Sequence, residues 1–128
     1  MAKWSPSPYR RLVATDLFAD NLGQDGFIEV RACVTLFASE NGGRSGPVRG
    51  SYRPNHNFFG PDNREMTIGF IELPQGVELL PGASIEVPIT FWLWPRLAGE
   101  IHAGREWTIQ EGAKPVGFGK VIEVVGRR

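Results

Sequence analysis

Two stretches of this chain alternate apolar and polar residues with a period of two, and that alternation commits both to half-buried strands. In the first, which starts at Phe27, Ile28, Val30, Ala32, Val34 and Leu36 alternate with Glu29, Arg31, Cys33 and Thr35. In the second, Ile85, Val87, Ile89, Phe91 and Leu93 alternate with Glu86, Pro88, Thr90, Trp92 and Trp94. Successive side chains of a strand point to opposite faces, so each stretch offers one apolar face to a core. Pro88 has no N–H to give a ladder, which puts its strand at an edge or a bulge there. Shorter runs at 48–53, 66–73, 105–111 and 116–125 complete a set of six strands. Pro54 ends the second of them, and 55–64 reads as a polar loop around Phe58-Phe59. Regular short strands with Gly/Pro turns argue for a closed or sandwiched antiparallel sheet. Six strands in roughly a hundred residues favour a small barrel filled by its own side chains.

Composition narrows the functional classes. The 128 residues suffice for one core, and fourteen basic residues balance fourteen acidic ones. That balance argues against a globally cationic nucleic-acid binder and leaves room for a local basic patch. Cys33 is the one cysteine, so no internal disulfide forms, which fits a reducing compartment. No apolar h-region opens the chain and no run approaches the length of a membrane span, so the expected setting is cytoplasmic, with no membrane and no DNA partner. Residues 1–26 differ in pattern from the rest. Leu12, Val13, Leu17 and Phe18 stand near helical spacing there, and the expectation is an N-terminal extension lying on a barrel of residues 27–126.

The turns occur in a fixed order. They read Glu40-Asn41-Gly42-Gly43-Arg44, Tyr52-Arg53-Pro54, Leu73-Pro74-Gln75-Gly76-Val77-Glu78 running into Pro81-Gly82, then Arg105-Glu106-Trp107-Thr108-Ile109-Gln110-Glu111-Gly112 and Val116-Gly117-Phe118-Gly119. This ordered set resembles the C-terminal β-barrel (domain 3) of translation elongation factor Tu, from about Phe27 to Val125. The resemblance implies an all-β fold: a six-stranded antiparallel closed barrel that performs no chemistry, needs no cofactor, and holds protein or RNA partners in translation. No Gly-x-x-x-x-Gly-Lys-[Ser/Thr] phosphate loop is present, so GTP binding is not expected and the barrel reads as a stand-alone domain. In the family, this barrel grips the T-stem of tRNA. The resemblance maps that grip onto Gly112, where one glycine of a pair remains beside Ala113, and onto Thr67. A third contact, before the proline that ends the long strand, is lost because Trp94 stands there. After Tyr52-Arg53-Pro54 the chain also departs from the family run that faces the GTPase domain.

Two clusters remain as candidate partner sites. Trp92 and Trp94 share the face opposite the aliphatic set. Either both point outward as an interface, or residues 1–26 cover them with Leu12, Leu17 and Phe18. Arg44, Arg49 and Arg53 surround one turn, either to receive phosphates or carboxylates or as ordinary solvated charge near Glu40. The preferred reading is a protein partner at Trp92, Trp94, Arg44 and Arg53, with tRNA binding at Thr67 and Gly112 as the weaker alternative. A different class is a small hydrolase or isomerase that uses loop carboxylates and the two histidines, His56 and His102, both read as solvated loop residues. No Cys/His/carboxylate set stands at metal-ligand spacing, and Cys33 carries no nucleophile signature.

Overall fold

The structure is a computed structural model, and it describes residues 26–127. Its frame is one closed antiparallel barrel of six strands. Following the hydrogen bonds round, these are β5 (Thr67–Glu72), β4 (Asn55–Asn57), β8 (Glu106–Glu111), β9 (Lys114–Arg127), β1 (Gly26–Leu36) and β7 (Ser84–Leu93). The pairing of β5 with β7, Gly69 against Phe91 and Ile71 against Ile89, closes the circle. A short strand β3 (Ser51–Tyr52) adds to the end of β5, and β2 (Val48–Arg49) pairs with β6 (Glu78–Leu79) as a separate ribbon. One turn of helix, α1 (Pro95–Ala98), follows β7 with proline at its first position, where no N–H is needed.

The expected period of two holds where the barrel is regular. Along β1 the even-numbered residues 28–36 are buried and the odd-numbered ones between them are half-buried. On β7 Val87, Ile89, Phe91 and Leu93 are buried. Of the two aliphatic sets, Ile28, Val30, Val34, Val87, Ile89 and Phe91 are core while Ile85 packs half-buried against it, and Trp107 and Ile109 of β8 join them. Pro88 falls in the part of β7 whose only strand neighbour is β1, since β5 pairs no further than Ile89. It is therefore an edge proline, as the missing donor requires. Two register shifts between β1 and β9 supply the local coiling that closure demands.

One barrel strand differs from the sequence expectation. Residues 48–53 are not a strand of the wall: Gly50, at φ +68, breaks them into β2 and β3. The sixth strand is β4, from the segment read as a polar loop, and it joins β5 to β8. Its inward residue is His56, which is 0% exposed and is not a solvated loop histidine. The ring stands edge-on to Phe91, with centroids 4.9 Å apart. Around it Phe58 stacks on Trp107 at 5.3 Å, and Phe91 meets both rings edge-on. Such edge-to-face and offset arrangements are the favoured ones for rings carrying a quadrupole.

Two glycines make room for these rings. A Cβ at Gly69 would stand 2.7 Å from the His56 ring, and one at Gly119 would run into the indole of Trp107. Gly119→Ala should therefore destabilise the barrel by roughly 1–3 kcal/mol through overpacking. Gly46→Ala, at a position with open space and no positive φ, should leave the urea midpoint close to wild type. Equal midpoints for the two variants would show that Trp107 has room to move.

Candidate functional site

The outer face of the wall made by β1, β7 and β5 carries the most exposed aromatic side chain described. Trp92 is 45% exposed. It points outward because its neighbours Phe91 and Leu93 point in. Across β1 its register partner is Phe27, whose ring lies 5.8 Å from the Trp92 ring. On the other side, extending the β5–β7 register by one residue sets Ile68 opposite Trp92, and Ile68 is 51% exposed. Phe27, Trp92 and Ile68 thus form an apolar row across three adjacent strands. Two residues along, Phe70 pairs with Thr90, and the Arg53 guanidinium lies 4.9 Å from the centre of the Phe70 ring. Ile68 and Phe70 escaped the sequence reading because 66–73 was read as one apolar run. The signal was Gly69 between them, an inward position of the alternating strand that must lack a side chain because the His56 ring fills the space.

Trp94 does not join Trp92 on this face. At the start of α1 its indole N–H donates to the Thr67 hydroxyl at 3.1 Å, and its ring meets Phe59 edge-on at 5.8 Å. Phe59 is covered in turn by the Arg96 guanidinium, 3.9 Å from its centre, and Arg96 pairs with Glu65. Trp94 is half-buried against the core and closes one end of the barrel. The expectation that both tryptophans point outward is corrected to Trp92 alone. Residues 1–25, which the second reading laid over the pair, lie outside the described residues.

The three arginines of the turn are held by three different elements. Arg44 donates to Glu111 at 2.8 Å and to the carbonyls of Gly46 and Pro47 at 3.0 Å each. Tyr52 donates to the same Glu111 oxygen at 2.5 Å, and burial, with that carboxylate second, holds its phenol well above the usual range. Arg44 is thus a fastener between the 44–47 loop and the end of β8. Arg49 pairs with Glu78 across the β2–β6 ribbon. Only Arg53 of the three lacks a carboxylate among the described residues.

The two residues mapped for RNA differ in access. Thr67 is 2% exposed and faces inward, with its hydroxyl taken by Trp94, so its side chain offers nothing to a surface ligand. Gly112 is exposed in the two-residue turn between β8 and β9, at φ +63. With Ala113, Gln110 and the 61–64 loop it borders an open cleft of about 450 Å³ that also includes Arg64 and Met66. The histidines of the enzyme reading are separated: His56 is sealed in the core, while His102 is exposed beside Ala103. Among the described residues no group of three or more His, Cys, Asp or Glu could hold a metal ion. No described helix is long and apolar enough to cross a membrane. No known protein-family model matches the chain.

Proposed function

We propose that this protein is a non-catalytic binding module that resembles the C-terminal barrel of elongation factor Tu and works in the cytoplasm. It engages a protein partner that recognises such a barrel, through the outer wall around Trp92. The observation that supports this is an indole 45% exposed in a row with Phe27 and Ile68 on three hydrogen-bonded strands. A tryptophan on a rigid sheet loses little conformational freedom on binding, and aromatic side chains dominate interface energetics. The burial of His56 removes from the enzyme alternative the group best suited to acid–base work at neutral pH. The tRNA alternative keeps Gly112 and its cleft but not the Thr67 side chain.

Tagged protein drawn through a native lysate, with bound protein and RNA both identified, tests the proposal. Trp92→Ala should abolish capture of the protein partner, a loss of more than tenfold, with an unchanged melting temperature because the side chain leaves an exposed face. Capture insensitive to Trp92→Ala, together with tRNA retention that falls steeply with salt, would favour the RNA alternative instead.

A further inference from the structure

We infer that the partner segment seated on the Trp92 wall carries an aromatic or branched aliphatic side chain within a few residues of a carboxylate, and that Arg53 receives the carboxylate. This rests on the reading of that wall as the docking face.

Five of the eight described arginines hold a carboxylate; Arg53, Arg64 and Arg127 hold none among the described residues, and of these three Arg53 is the one seated on a described aromatic ring. Arg31 holds Glu86 and Glu123, Arg44 holds Glu111, Arg49 holds Glu78, Arg96 holds Glu65 and Arg105 holds Glu100. Arg53 holds no carboxylate among the described residues, although Glu72 stands two residues along β5 from Phe70. Glu72 instead accepts from the Ser51 hydroxyl at 2.9 Å. Arg53 is exposed, and the Phe70 ring beneath it steadies the guanidinium without using its N–H donors. A planar fork whose donors take no acceptor among the described residues, set on an aromatic face, fits a carboxylate in bidentate geometry.

The placement joins this cation to the apolar row. Phe70 and Thr90 are cross-strand partners, and Thr90 is two residues from Trp92 on the same outer face. Two residues of strand span about 6.6 Å and adjacent strands lie about 4.8 Å apart. One extended partner segment therefore reaches the Trp92–Ile68 row and the Arg53 guanidinium with side chains two or three residues apart. A nucleic-acid strand would need a series of cations tracking its phosphates. Here the floor beside the guanidinium is Phe70, Ile68 and Trp92, which favours a peptide.

The experiment is a display selection of random twelve-residue peptides on the immobilised full-length chain, with the Trp92→Ala variant for counter-selection. The expected winners place Phe, Trp, Leu or Ile within three residues of Asp or Glu, and lose at least tenfold in affinity for Trp92→Ala. Selection on Arg53→Glu should move the enrichment from acidic to Lys or Arg neighbours. Both substitutions are on exposed side chains, and the thermal transition of each variant should match wild type. Trp92-dependent peptides with no acidic preference, or with the same preference on Arg53→Glu, overturn the assignment of Arg53 while leaving the docking face standing. Peptides indifferent to Trp92, or no binders at all, remove the face and the inference together. A Trp92-dependent dimer in sedimentation would replace the partner with a second copy of the chain. Salt-sensitive, Arg53-dependent binding of a twelve-nucleotide oligouridylate in place of peptide would overturn the choice of carboxylate.

Discussion

Ile89→Asp should leave this protein without a cooperative thermal transition. Ile89 is 0% exposed and stands where three strands meet, between Val30 on β1 and Ile71 on β5. An aspartate there stands between the aliphatic side chains of Val30 and Ile71, shut off from water. Keeping it charged in such a site costs far more than a small domain can supply. Protonating it instead still leaves a carboxyl with unmade hydrogen bonds, together with the lost burial of the isoleucine. The sum is several kcal/mol, against the roughly 5–15 kcal/mol that separates folded from unfolded chains of this kind. The neighbouring Thr90→Asp makes the same chemical change on the outer face, where Thr90 is half-buried beside Glu29 and Phe70. It should shift the melting temperature by only a few degrees. Circular dichroism melts of the two variants compare the faces directly, and similar melts would mean that the inward and outward sets are exchanged.

How well the sequence announces each element follows from what holds that element. β1 and β7 are long and amphipathic, and each alternate residue repeats the same message, so their faces are legible without any partner. The β8–β9 hairpin is legible because Gly112 sits where a two-residue turn needs positive φ. β4 has no such redundancy. It is three residues long, reads Asn-His-Asn, and gains its place from partners far along the chain: Trp107, Gln110, Thr67 and Gly69. Asn57, for instance, closes a local turn by accepting from the Phe59 N–H at 3.0 Å, but its donation to the Gln110 side chain at 2.9 Å is a contact across 53 residues. The same reason separates Trp92 from Trp94. Their spacing assigns both to the outside, but β7 ends at Leu93 and the chain turns into α1, which swings Trp94 onto Thr67. Arg53 could be read as a candidate. What made it distinct, the absence of a carboxylate partner where Arg44 and Arg49 each have one, is visible only once the strands are paired.

Between pH 6.5 and pH 4 the barrel should lose roughly 3 kcal/mol of stability through His56 alone. The indole N–H of Trp107 donates to His56 Nδ1 at 3.0 Å, so the ring is neutral with its proton on Nε2. Protonation would turn that acceptor into a second donor facing the indole N–H, and would place a charge among Phe58, Phe91 and Trp107. Nε2 makes no hydrogen bond of good geometry, and the Gly69 main chain is the polar group that favours its proton. No carboxylate faces the ring from β4, β5, β7 or β8: their acidic residues Glu72, Glu86, Glu106 and Glu111 are all exposed on the outside. Arg105 lies over Phe58 and donates to its carbonyl, so it brings no negative charge toward the ring. Burial therefore holds the ring down to about 4 from its ordinary 6.5, opposed only in part by the Gly69 main chain. The unfolded chain takes up the proton first as pH falls, so stability is complete above about 6.5 and declines until about 4, where the folded form also binds it. About 2.5 pKa units at about 1.4 kcal/mol each gives about 3.5 kcal/mol once both states are protonated, of which about 3 is lost by pH 4. Urea unfolding at pH 7.5, 6.0, 5.0 and 4.5 measures it. His56→Gln keeps an acceptor for Trp107 but cannot titrate in this range. It should begin less stable at pH 7.5, since the amide does not fill the ring's place, and by pH 4.5 its decline with acid should be shallower by about 2.5 kcal/mol. Parallel declines in the two proteins would show that the acid sensitivity belongs to the surface carboxylates and not to the histidine in the core.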